Sequence, residues 1–121
     1  GVRRVSPGTP VYVHTCGAIG DRLELMVETG FNGVDTLDPP PLGTVDLADA
    51  AARLRGRAFI KGNVDPVGTL LNGTPETVRA DARRRIETAG RQGGYILSSA
   101  CSVAPRVRPE NLMVLADEAE R

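Results

Sequence analysis

Three side chains in this sequence have the chemistry to hold a soft metal ion: His14 and Cys16 in Val11-Tyr-Val-His-Thr-Cys-Gly17, and Cys101 in Ser98-Ser-Ala-Cys-Ser102. His14 and Cys16 stand two positions apart in a segment that reads as a strand, so both side chains leave the same face and can grip one ion together. One imidazole and two thiolates are a zinc-like donor set, and three protein ligands leave a fourth position for water, substrate or another side chain. In an arbitrary chain the same three residues read as two buried cysteines and a core histidine. A disulfide is a further alternative, set behind the metal because a cytosolic chain keeps its thiols reduced and a Cys two positions from a His suits metal binding. The choice turns on where the elements place the three residues.

The chain has 121 residues, enough for one domain with a modest core, and its 40% hydrophobic and 25% charged content is globular. Fifteen basic residues balance fifteen acidic ones, so no global field draws nucleic acid or an anionic membrane. With no Trp, two Tyr and two Phe there is no base-stacking surface, and Arg83-Arg84-Arg85 reads as a solvated helix face. No apolar run has the length of a membrane span, and Gly1-Val-Arg-Arg-Val5 lacks the apolar stretch of a secretory signal. These features predict a cytoplasmic chain with neither nucleic acid nor membrane as partner.

Four units of strand followed by helix are predicted, the signature of a parallel sheet with crossover helices. The strands are Val11 to Thr15, Val34 to Leu37, Ala58 to Lys61 and Gly94 to Ser98. The first helix runs from about Asp21 to Thr29, with Leu23, Met26 and Val27 on one stripe and Gly30 as its stop. The second, Asp46 to Arg55, follows the proline turn Asp38-Pro-Pro-Pro-Leu-Gly43. A long loop after Gly62-Asn-Val-Asp-Pro66 leads to a third helix, with Thr74 as N-cap and Pro75 first in the helix, continuing to about Ala89. A fourth opens at Pro109-Glu110, whose Glu110-Asn111 serve mainly to start it, and runs to Glu120.

The predicted fold is therefore α/β: half of an eight-stranded (β/α)8 TIM barrel, residues 1–121 forming a single carboxyl-terminal half-barrel domain. A half-barrel has two unpaired edges and one bare sheet face, so completion by a missing amino-terminal half or by a second copy of the chain is expected, and a stable monomer is not. The chain also begins without Met, which fits a piece of something longer. A small doubly wound open sheet is the rival architecture. In both, ligands gather beyond the carboxyl ends of the strands, which is where His14, Cys16, Asp35, Asp38, Asn63, Asp65, Ser99 and Cys101 fall. First and fourth strands are far apart in a flat sheet, so a shared ion requires a curved one.

The run His14-Thr-Cys-Gly17, then Gly62-Asn-Val-Asp-Pro66, Gly73-Thr-Pro-Glu76, Gly93-Gly-Tyr-Ile-Leu-Ser-Ser99 and Pro109-Glu-Asn111 resembles the carboxyl-terminal part of the uroporphyrinogen decarboxylase superfamily, over about Pro10 to Ala119. That resemblance implies one of two chemistries. The porphyrinogen decarboxylases use no metal, lack His-x-Cys-Gly here and typically carry Gly-His-Gly in place of Ala100-Cys-Ser102. The cobalamin-dependent methyltransferase branch has His-x-Cys early and a second Cys late, which match His14, Cys16 and Cys101.

The methyltransferase-like resemblance implies Zn2+ on His14, Cys16 and Cys101, and methyl transfer between a methyl-cobalamin carried by a partner corrinoid protein and a thiol or folate-type acceptor; relatives that demethylate aromatic ethers leave the substrate open. A thiol with a free pKa of about 8.5 is mostly protonated at neutral pH, and coordination strips its proton. Asp35, Asp38, Asn63, Asp65 and Ser99 are the candidates for the substrate pocket, with Asp35 or Asp38 able to orient His14. Capping of the proline turn by Asp38 and a turn-forming role for Asn63 and Asp65 stand beside those assignments. The alternatives are a decarboxylase-like protein acting on a porphyrinogen and an inactive, self-associating half-barrel. Alone, the half-barrel is expected to have its metal ligands and to lack part of its pocket walls.

Overall fold

A computed structural model describes all residues, 1–121. A short helix α1 (Val2–Val5) precedes β1 (Tyr12–Thr15), α2 (Leu23–Glu28), β2 (Gly33–Thr36), α3 (Leu47–Leu54), β3 (Phe59–Val64), α4 (Pro75–Arg85), β4 (Tyr95–Ser99) and α5 (Pro109–Glu120). The four strands form one parallel sheet in the order β1-β2-β3-β4. Strand order that follows chain order, with no reversal, is what a barrel requires and what a doubly wound sheet lacks, so the open-sheet rival is set aside. No helix is long and apolar enough to cross a membrane.

Two apolar cores hold α2, α3, α4 and α5 to one side of the sheet. Val34 and Ile60 from the sheet, with Leu37 just after β2, pack against Leu23, Ala50 and Leu54 of α2 and α3. Val64 packs with Leu70, Val78, Val107 and Val114 near α4 and α5. The other face is bare: Tyr12 and Ile96 are 45% and 47% exposed. On that face Tyr12, Gly33 and Phe59 share one register row. Gly33 is needed there because a Cβ would stand 2.5 Å from the Phe59 ring, which instead crosses the glycine to meet Tyr12 edge-on with centroids 5.7 Å apart.

Several expectations are corrected. The third strand continues past Lys61 to Val64, because Gly62, Asn63 and Val64 pair with Leu97, Ser98 and Ser99 of β4. The long loop after it contains a π-helical turn, Pro66–Leu71, which Asp65 caps by accepting from the Val67 and Gly68 amides at 2.9 and 3.0 Å. The third long helix is α-helical only to Arg85 and then widens into a π-turn, Ile86–Gly90. Its N-terminus follows the sequence, with Thr74 accepting from the Thr77 amide.

The Arg83-Arg84-Arg85 run is not simply a solvated face. Arg85, with its side chain 11% exposed, donates to Asp81 at 2.7 Å and to the buried Asn63, and Arg83 reaches Glu118 of α5, which is 4% exposed. Asn111 likewise does more than open α5. It is fully buried and donates to the Leu70 and Gly73 carbonyls at 2.9 and 3.0 Å, tying α5 to the π-turn.

Helices α2 and α3 are joined by Arg53, which donates to both Glu24 oxygens at 2.5 Å and to the Gly20 carbonyl at 2.6 Å. Arg53 is also the chief reason that the Glu24 carboxyl is held down to about 2. A depressed folded pKa stabilises above the unfolded value, about 4.3, and loses that contribution as pH falls through the folded one. Glu24→Gln should therefore lower the thermal midpoint at pH 7, and the gap from the parent should close by about pH 2, as followed by circular dichroism.

Candidate metal centre

Parallel register sets His14 beside Asp35, Asp35 beside Lys61 and Lys61 beside Ile96, one row across the open face of the sheet. In the middle of that row Asp35 is 7% exposed and satisfied on both oxygens. Its Oδ2 lies 2.9 Å from His14 Nδ1, and its Oδ1 accepts from Lys61 Nζ at 3.2 Å and from the Thr36 amide at 2.8 Å. Burial by itself would push the Asp35 carboxyl up. The hydrogen bonds from His14 and Lys61, the charge of Lys61 and the Thr36 amide outweigh it and hold the carboxyl below its usual value.

With Nδ1–H directed at Asp35, the lone pair of His14 is on Nε2, which faces Cys16 Sγ at 3.7 Å. Cys16 Sγ is in turn 3.9 Å from Cys101 Sγ. One donor atom from each of His14, Cys16 and Cys101 lies within 4.8 Å of the others. A tetrahedral zinc with bonds of about 2.3 Å to sulfur and 2.0 Å to nitrogen has edges of roughly 3.8 Å between sulfurs and 3.5 Å between sulfur and nitrogen. Two of the three edges match these values to within a few tenths of an ångström and the third, between His14 and Cys101, lies within 4.8 Å, so one imidazole and two thiols form a donor set of the type that such an ion takes. Both cysteines are free thiols. The Cys16 thiol is pushed above its ordinary value, first by its hydrogen bond to Cys101, then by desolvation and the negative charge of Cys101, Asp38 and Asp35.

The turn after β2 positions the rest. Thr36 and Leu37 hold φ of 88° and 46°, a region that branched side chains rarely enter and that costs of order 1–3 kcal/mol per residue. Both are fully buried, and Asn63 Nδ2 donates to the Leu37 carbonyl at 2.8 Å, fixing the turn. The chain then brings Asp38 back to accept from the Gly17 amide at 2.6 Å, just beyond Cys16. The loop closes so tightly that a Cβ on Gly43 would sit 1.6 Å from the Asp38 carbonyl oxygen.

Beside the two thiols opens a cleft of about 650 Å³, walled by the Pro39–Leu42 loop, Pro66, Val67 and Gly68, with Asp38 and Asp65 on its margin. A hollow of about 440 Å³ at the amino ends of β3 and β4 carries none of the three candidate donors.

Of the residues predicted from sequence, His14, Cys16 and Cys101 come together, Asp35 stands behind His14, and Asp38 and Asp65 line the cleft. Asn63 does not line it: at 1% exposure it is a buried tie between Leu37 and Arg85. Ser99 ends β4, half-buried and outside the cleft lining. Asp38 does not cap its own proline turn but pins the turn after β1. Sequence reading missed Lys61 and Thr36, whose Oγ1 is 2.9 Å from His14 Nδ1. Lys61 was detectable in principle, since aligning the second and third strands in parallel sets it opposite Asp35.

The family model described as uroporphyrinogen decarboxylase (URO-D) matches residues 1–121. The chain is 34% identical over 112 residues to the uroporphyrinogen decarboxylase of Thioalkalivibrio sulfidiphilus, covering 93% of this chain and 30% of that protein. It is 34% identical over 99 residues to that of Burkholderia mallei, covering 82% and 25%. Among solved structures, a methyltransferase from Methanosarcina mazei superposes with a TM-score of 0.78 at 25% identity, over 96% of this chain and 32% of that one. The chain thus spans between a quarter and a third of the length of these relatives.

Removing Lys61 leaves the buried Asp35 charge with His14 as its one side-chain partner. Lys61→Met should lower the denaturation midpoint at pH 7. Because the Asp35 carboxyl is depressed in the fold, the penalty should shrink as pH falls below its unfolded value of about 3.9, a difference that urea titrations at the two pH values would read.

Proposed function

This chain belongs to the uroporphyrinogen decarboxylase family, and we propose that within it the chain is the zinc-holding half of a corrinoid-linked methyltransferase barrel. The observation that carries this reading is the meeting of one imidazole and two thiols from β1, the turn just after it and the loop after β4, with donor atoms within 4.8 Å. Likeness to a methyltransferase fold supports it.

In this reading His14, Cys16 and Cys101 hold Zn2+, and the fourth position takes the acceptor. The bound ion would lower the pKa of an acceptor thiol and supply a thiolate nucleophile at neutral pH. Asp35 keeps the proton of His14 on Nδ1, so that Nε2 stays a ligand, and Lys61 keeps Asp35 ionised. Asp38 fixes the turn that carries Cys16, while the Pro39–Leu42 loop and Val67 form an apolar wall that excludes water from one side of the acceptor. The methyl group comes from a methyl-cobalamin on a partner corrinoid protein. The remaining barrel wall comes from another segment or a second copy, which would cover Tyr12 and Ile96.

A second reading, a decarboxylase-like barrel binding a porphyrinogen without metal, is favoured by the names of the curated relatives. Titration with a porphyrinogen after chelation of metal distinguishes it, since binding there would need no ion.

Purified protein should carry about one zinc per chain by mass spectrometric metal analysis. Cys101→Ser should remove most of it, and Asp35→Asn should weaken zinc about 10–100-fold in competition with a chromophoric chelator. Metal-free protein, or metal content untouched by Cys101→Ser, would sink this reading. Sedimentation at micromolar concentration should show self-association through the bare sheet face, and a stable monomer would argue against it.

A further inference from the structure

We propose that the cleft beside the His14, Cys16 and Cys101 donors selects a small thiol with no negative charge, and that a thiol with a cationic far end fits best. This selectivity rests on the methyl-transfer reading, because the thiol is the ligand that would fill the fourth metal position.

The lining of the cleft carries it. Apart from the two thiols, its ionisable side chains are Asp38 and Asp65, and no Lys or Arg lines it. Lys61, the cation on the adjoining sheet face, is committed to Asp35. Both acids are held in place by backbone amides on one oxygen: Asp38 Oδ2 accepts from Gly17, and Asp65 Oδ1 from Val67 and Gly68. The second oxygen of each has no protein donor. The lining also carries apolar side chains, with Leu42 and Val67 67% and 55% exposed, which suit the methylene groups of a small thiol.

A carboxylate or sulfonate at the far end of the acceptor would face two fixed negative charges with no counter-ion from this chain's side of the cleft, whereas an ammonium would find a partner. The same two acids disfavour a polycarboxylate tetrapyrrole on this side of the site.

The test loads the purified protein with Co2+ in place of zinc and follows the thiolate-to-cobalt charge-transfer band. Cysteamine, 2-mercaptoethanol and 3-mercaptopropionate present a cationic, neutral and anionic far end. Because these thiols differ in acidity, the readout is the affinity ratio between parent and variant, in which intrinsic acidity cancels. Asp65→Asn keeps the acceptor oxygen for the Val67 and Gly68 amides and should shift the preference by about tenfold toward 3-mercaptopropionate, the effect of one nearby charge close to the surface. Val67→Lys, at an exposed position, should shift it in the same direction, and 2-mercaptoethanol should move little in either variant. An unchanged preference in both variants, with the cobalt spectrum intact, overturns the selectivity and leaves the metal site standing. Failure of the parent to bind cobalt through thiolate overturns the metal reading and the selectivity with it.

Discussion

A carboxylate buried in the middle of a parallel sheet is the constraint on which the rest of the site depends. Asp35 is 7% exposed, and an isolated charge at such a position would neutralise itself rather than persist. It stays ionised because the register sets a cation on one neighbouring strand and an imidazole N–H on the other. The same two contacts fix the ring of His14 and leave its second nitrogen beside Cys16. Charge balance within the sheet and the geometry of the candidate donor set are thus one arrangement, and any slip of β2 against its neighbours would break both.

Curvature is the second requirement. The two edge strands of a four-stranded sheet would lie far apart if it were flat, at roughly 4.8 Å per step. Here the sheet coils so that the end of β1 and the loop after β4 bring two thiols to 3.9 Å. Helices α2 to α5 pack on the convex side in two apolar cores, and the concave side keeps its polar row and the exposed Tyr12 and Ile96. That division gives half of a barrel its unfinished character: the three candidate donors are assembled, while the face that lines a complete barrel is open.

Strain and buried polar contacts finish the positioning. The left-handed turn at Thr36 and Leu37 sends Asp38 back to the amide of Gly17, and the Asn63 side chain holds that turn from the neighbouring strand. Asn63 is held by Arg85, and Arg85 by Asp81 on the same helix, so a chain of polar contacts runs from α4 to the loop beside the thiols. Of these groups Thr36 alone reaches a donor residue, its Oγ1 lying 2.9 Å from His14 Nδ1. Together they decide where the donor set stands.

The local code of the sequence determined the four strand–helix units, the Thr74 cap, the gathering of unusual residues at the carboxyl ends of strands and the common face of His14 and Cys16. All of these follow from periods of two and 3.6 and from capping chemistry, which need only neighbours along the chain. The partnership of Asp35 with both His14 and Lys61, the burial of Asn63, Arg85 and Asn111, and the strained turn at Thr36 were decided by tertiary structure. An asparagine before a turn or an arginine in a basic run has the same local pattern whether it faces water or a buried carbonyl. The meeting of Cys16 with Cys101 was decided there as well: periodicity tells which face a side chain takes, and only the coiling of the whole sheet determines how far apart its two edges end.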